Sequence, residues 1–187
     1  MKHRLFTAFR PPLQNIGEII TFQKKLISLN FPITWEPPEK IHLTLNYLGR
    51  LTDEQAFTAK KMLGETIRGT TPFELRPLFL ETLYKRHEQS IIYLSVGGDT
   101  EALEEFQETL SEKFRRIDIP QPEKYSAHIT LGRMQRTDPV TTKAFLDKLD
   151  DIEAPVFLPF TPEEVICYKS LVSKTGSTYQ VYTRFPY

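Results

Sequence analysis

The chain has 187 residues, with 24 Lys plus Arg against 24 Asp plus Glu and a single cysteine, Cys167. Balanced charge excludes the strong positive field that long duplex nucleic acid or an anionic membrane would require, and leaves a small or terminal anionic group as the ionic partner. One cysteine excludes an intramolecular disulfide framework and metal-finger spacing, no apolar run reaches membrane-spanning length, and the short run before Arg10 is no secretion signal, so a soluble, cytoplasmic protein is expected, and a monomer is taken as the default state.

Residues 3 to 9 (HRLFTAF) alternate as a first strand, which Pro11-Pro12 stops. Residues 15 to 29 carry Ile16, Ile19, Ile20, Leu26 and Ile27 at helical spacing, with Asn15 as the cap. Trp35-Glu36-Pro37-Pro38 reads as an extended elbow, because successive prolines forbid a central strand or helix. A strand follows over 41 to 48 and Gly49 ends it; Thr52 with Gln55 is a capping box opening a helix to about Arg68. Strands at 73 to 84 and 90 to 96 flank a polar turn, Lys85 to Gln89, and a helix from Asp99 or Thr100 places Leu103, Phe106, Leu110 and Phe114 in one stripe. A strand at 126 to 134 precedes a helix started by Asp138-Pro139, and strands at 164 to 171 and 178 to 185 close the chain around a turn at Lys174 to Ser177.

The chain writes one tetrapeptide pattern twice, His42-Leu43-Thr44-Leu45 and His128-Ile129-Thr130-Leu131. With a strand period of two, His and Thr project from one face and the apolar pair from the other. The spacing around the two blocks also repeats: Leu5 precedes His42 by 37 residues, Ile91 precedes His128 by 37, and Thr52 and Asp138 each follow their histidine by ten. The order strand, helix, histidine strand, helix thus occurs twice, which predicts a duplicated α+β unit, 1-187, whose two lobes face their histidines across a cleft. Two imidazoles can serve as base and acid at neutral pH, and two Thr hydroxyls can donate to phosphate oxygens, so the constellation points to metal-free phosphoryl transfer. A bell-shaped pH profile around neutrality is expected. No further Cys or acidic cluster repeats with the histidines to complete a metal site.

These blocks resemble the RNA 2′,3′-cyclic phosphodiesterases, also called 2′-5′ RNA ligases, of the two-histidine phosphoesterase superfamily. The resemblance includes the opening RLFTAF, Trp35-Glu36-Pro37-Pro38-Glu39 leading to His42-Leu43-Thr44-Leu45 and Leu48-Gly49, His128-Ile129-Thr130-Leu131-Gly132-Arg133, and the closing segment with Gly176, Tyr179 and Phe185-Pro186. It departs at Ala127, where members often have Pro. The resemblance implies a bilobal α+β fold with an antiparallel sheet in each lobe, helices on the outer faces and the active-site cleft between, and cofactor-free and metal-free opening of an RNA 2′,3′-cyclic phosphate to a 2′-phosphate. It makes His42 and His128 the acid and base, Thr44 and Thr130 the phosphate donors, Arg133 a substrate arginine, and Tyr47 and Phe9 the aromatics that stack on the terminal base.

Strict alternation places Arg133 and Tyr47 out of phase with their histidines. Gly132 permits a bulge that would redirect Arg133, and a core aromatic is the competing reading of Tyr47. The competing functions are 2′-5′ ligation of RNA, hydrolysis of small cyclic nucleotides, and RNA-end binding without turnover.

Overall fold

A computed structural model describes residues 2–83, 90–134, 138–173 and 176–187. The polar turn at Lys85 to Gln89 and the Lys174-Thr175 part of the closing turn lie outside them. In chain order the described elements are β1 (Lys2–Phe9), α1 (Leu13–Ile27), β2 (Ile33–Trp35), a 3-10 turn (Pro38–Lys40), β3 (Leu43–Thr52), α2 (Asp53–Ile67), β4 (Leu75–Leu83), β5 (Ser90–Gly98), α3 (Thr100–Arg115), β6 (His128–Met134), α4 (Pro139–Asp150), β7 (Glu164–Ser173) and β8 (Gly176–Pro186). No helix among the described residues is long and apolar enough to cross a membrane.

Local chemistry starts the helices where the sequence indicates. The Thr52 hydroxyl accepts from the Gln55 amide while the Gln55 side chain accepts from the Thr52 amide, completing the capping box of α2. The Asp138 carboxylate accepts from the Thr141 amide at the start of α4. At α1 the outcome differs: the helix begins at Leu13, and Asn15 is buried within it, donating to the Leu158 carbonyl oxygen at 2.8 Å rather than capping. A long-range partner claimed this side chain, which helical periodicity could not reveal.

The strands form one curled antiparallel sheet, in the order β4-β5-β6-β3-β1-β7-β8, with β2 pairing β6 from the side. Two half-sheets meet between β3 and β6 through one register pair, Leu43 opposite Ile129. The sheet expected in each lobe is therefore a half of a shared one. Helices cover one face: Leu43, Leu45, Ile129 and Leu131 are buried there in a core that includes Ile19 of α1, Leu63 of α2, Leu110 of α3 and Phe145 of α4. The opposite face of the central strands stays open.

Two further differences trace to glycine and proline. Gly49, expected to end its strand, continues β3 with φ +71 at a register shift, where β1 pairs Leu5 with Gly49 and Phe6 with Tyr47; a bulge tolerates this left-handed conformation in glycine. The proline elbow holds the short edge strand β2 and the 3-10 turn, since Pro at the first position of such a turn lacks only an amide that would be unpaired anyway.

Candidate active site

Leu43 opposite Ile129 fixes the site. In an antiparallel register, one step to either side brings His42 level with Thr130 and Thr44 level with His128. Because Leu43 and Ile129 point into the core, the four flanking side chains point the other way. All four line one cleft of about 710 Å³, whose walls also include Arg4, Phe6, Glu36, Lys40, Tyr47, Arg133 and Tyr179.

Both rings are held alike. His42 Nδ1 lies 2.5 Å from the Lys40 carbonyl oxygen, and His128 Nδ1 lies 2.8 Å from that of Ser126. A carbonyl oxygen only accepts, so Nδ1 carries hydrogen on each ring and Nε2 is the atom free to exchange a proton. His42 Nε2 is 3.1 Å from Thr44 Oγ1, which donates to it.

The surroundings of the two rings differ. His42 sits against Phe6 at 5.2 Å between ring centroids, edge-on to Tyr179 at 5.5 Å and near Tyr168 at 6.3 Å. Burial pushes its pKa down to about 4; the Lys40 carbonyl opposes the shift, and the charges of His128 and Arg133 add to it. His42 is thus neutral at pH 7. Among the described residues His128 packs against one ring, Tyr93, at 5.2 Å.

Tyr47 and Arg133 reach the cleft through matched irregularities. In β3 the partners of Thr7 and Ala8 are Asn46 and Thr44, so Leu45 is an extra residue. In β6 the partners of Ile92 and Tyr93 are Gly132 and Thr130, so Leu131 is extra. Each bulge falls three residues after its histidine and reverses the alternation beyond it. Tyr47 and Arg133, both five residues after a histidine, are turned onto the open face at opposite ends of the cleft. Gly132 is required as well: a Cβ there would lie 2.8 Å from Ile33 Cγ2 and 3.1 Å from the Thr34 carbonyl oxygen.

Tyr47 is 46% exposed, and Arg4 donates from Nε to its hydroxyl at 2.5 Å with the guanidinium 5.4 Å from the ring centroid. At the other end Glu36 lies 3.4 Å from Arg133 Nε and 3.9 Å from Lys40 Nζ. One end offers an aromatic face and the other offers charge.

Phe9 requires a correction. It is 0% exposed on the helix side, packed with Phe73, Phe106 and Tyr187, and lies away from the cleft. Alternation along β1 groups it with Leu5 in the main core and sends Phe6 and Ala8 to the other face. Parity could have selected Phe6 and Arg4 from the sequence. Nothing local pointed to Tyr168, and Tyr179 stood in the closing segment of the resemblance with no role attached; both come from the last hairpin. Among the described residues no group of three or more His, Cys, Asp or Glu could hold a metal ion.

A family model described as the 2′-5′ RNA ligase superfamily matches residues 34–172, and the chain belongs to that superfamily. Among curated relatives, a protein of Thermotoga maritima named RNA 2′,3′-cyclic phosphodiesterase is 25% identical over 162 residues, covering 84% of this chain and 81% of the relative. Similar solved structures include TT0787 of Thermus thermophilus, with TM-score 0.79, 20% identity and coverage of 98% of this chain and 97% of that one. Another is E. coli LigT complexed with 3′-AMP, with TM-score 0.74, 20% identity and coverage of 99% and 97%. These structures share the fold.

Proposed function

We propose that the protein hydrolyses RNA 2′,3′-cyclic phosphate ends to 2′-phosphates in the cytoplasm, using His42 as base and His128 as acid and no metal. The observation that carries this reading is the pair of imidazoles, each held at Nδ1 by a backbone carbonyl oxygen with Nε2 left to react, lining one cleft together with Thr44 and Thr130. The relatives named as RNA 2′,3′-cyclic phosphodiesterases support the substrate class.

Neutral His42 takes a proton from water at Nε2 as the water oxygen bonds to phosphorus. The bond from phosphorus to ribose O3′ breaks, and His128 supplies its Nε2 proton to that oxygen, leaving the phosphate on O2′. Each ring ends in the opposite protonation state, and proton exchange with solvent resets the pair. Thr44 turns its hydroxyl from His42 to one non-bridging oxygen, and Thr130 donates to the other, so charge developing on phosphorus oxygens meets two fixed donors. Arg133 adds positive charge at that end. Tyr47, stiffened by Arg4, stacks on the terminal base, an interaction typically worth about 1–3 kcal/mol.

An RNA oligomer with a 2′,3′-cyclic end, incubated in excess EDTA with the wild type, His42→Ala and His128→Ala, tests the reading. Formation of a 2′-phosphate by the wild type and its loss in both variants is expected. An intact cyclic end with the RNA still bound would make the cleft a recognition pocket, and a requirement for metal would remove the two-histidine mechanism.

A further inference from the structure

Two buried glutamines, so far without a role, occupy corresponding places in the two halves. Gln23 of α1 is 4% exposed and precedes His42 by 19 residues; Gln107 of α3 is 3% exposed and precedes His128 by 21. Each reaches into the opposite half. Gln23 Nε2 donates to the carbonyl oxygens of Leu131 at 2.9 Å and Glu36 at 2.8 Å. Gln107 Nε2 donates to the Leu45 carbonyl oxygen at 3.3 Å and to Ser111 Oγ at 2.9 Å.

Leu45 and Leu131 are the extra residues of the two bulges. A bulge takes a residue out of the regular ladder, and a buried carbonyl left there without a donor is costly. Gln107 supplies that donor at Leu45; at Leu131, whose carbonyl oxygen also takes a backbone amide, Gln23 supplies a second. Neighbouring bonds follow the same crossed pattern. On β3, Gln121 Nε2 donates to the Tyr47 carbonyl oxygen at 3.2 Å and the Tyr125 hydroxyl to that of Thr44 at 3.0 Å. On β6, the Glu36 amide donates to the Leu131 carbonyl oxygen at 2.8 Å.

We infer that Gln107 and Gln23 are reciprocal positioning residues: Gln107 holds the β3 bulge that aims Tyr47 into one end of the cleft, and Gln23 holds the β6 bulge that aims Arg133 into the other. Because each glutamine comes from the half that carries the other motif, the clamps also tie the two His-x-Thr pairs to one another. The roles given to Tyr47 and Arg133 rest on the function proposed above.

The test replaces each glutamine by methionine, which keeps volume and apolar burial while removing the donor. Gln107→Met and Gln23→Met are made alone and combined with Tyr47→Ala or Arg133→Ala, and binding of 2′-AMP and of inorganic phosphate is measured by calorimetry. Gln107→Met should weaken 2′-AMP about fivefold to tenfold, within the range of one stacking contact, and leave inorganic phosphate unchanged. Gln23→Met should weaken both ligands. In the matched pairs, Gln107 with Tyr47 and Gln23 with Arg133, the second substitution should add less than twofold; in the crossed pairs the losses should multiply. Multiplying losses in the matched pairs, or equal effects of both methionine variants on both ligands, would reduce the glutamines to packing and overturn the inference.

Should a methionine variant not fold, Gln107→Glu and Gln23→Glu replace it. A protonated carboxyl donates to the bulge carbonyl and an ionised one repels it, so affinity relative to wild type should rise as pH falls; a constant ratio would overturn the inference. Wild type that binds 2′-AMP but leaves the cyclic end intact would remove the proposed activity and leave the clamp to be decided by binding. Wild type that binds neither 2′-AMP nor phosphate would remove both.

Discussion

If His42 is the base, acid should inactivate the enzyme far below the usual histidine range. At a pKa of about 4, about 97% of His42 is neutral at pH 5.5, against about 9% for an unperturbed imidazole at about 6.5. The profile of kcat/KM, which reports the free enzyme, should therefore show no loss from pH 7 to 5.5 and an acid limb centred near pH 4. The bell expected around neutrality is thus shifted on its acid side. Phe6 and Tyr179 wall the ring, so Phe6→Ala and Tyr179→Ala should admit water and move that limb toward 6.5, at most about a tenfold loss at pH 5.5 relative to pH 7. The repelling charges of His128 and Arg133 remain in these variants and keep the midpoint below the free value. Initial rates on a cyclic-ended oligomer across pH 3.5 to 8 would measure it, a window of roughly that width being set by the two pKa values. A wild-type acid limb already centred near 6.5, or one unmoved by opening the wall, would refute the desolvation reasoning.

Three substitutions probe the remaining geometry. Thr130→Ala removes one donor to a phosphate oxygen; a hydrogen bond to a charged group is typically worth about 1.5–3 kcal/mol, so single-turnover kcat should fall about tenfold to a hundredfold with modest change in KM. Phe9→Ala empties a fully buried site and should cost about 3–5 kcal/mol in denaturant unfolding while leaving KM of the folded enzyme unchanged; a KM effect without loss of stability would contradict its placement. Gly132→Ala puts a Cβ against Ile33, Trp35 and the Thr34 carbonyl, and should lower stability by about 1–3 kcal/mol as β2 is displaced from β6, seen as a lower Tm.

Period-two patterning carried the sequence reading as far as the pattern held. It located His42, Thr44, His128 and Thr130 on one face because no irregularity lies between histidine and threonine in either block, and it found the capping box at Thr52 because that signal is local. It failed one residue later. The bulges at Leu45 and Leu131 reverse the phase, so Tyr47 and Arg133 looked misplaced while the fold had turned both toward the cleft. Pairing decides a bulge, and pairing is a property of two strands distant in sequence. The same holds for the wall on His42 from β8 and for Asn15, whose partner lies 143 residues away. Phe9 is a different failure: resemblance outweighed parity, which already grouped it with Leu5.

The division of labour between the histidines is tested most directly by changing the leaving group. In a 3′-deoxynucleoside 2′-(p-nitrophenyl phosphate), which has no neighbouring hydroxyl to compete with water, p-nitrophenolate takes the place of O3′ and departs without needing a proton, so His128→Ala should recover much of its lost turnover on this substrate relative to a cyclic-ended RNA, and His42→Ala should recover none. Recovery in His42→Ala alone would reverse the assignment of base and acid, and recovery in neither would contradict acid-base catalysis by the pair.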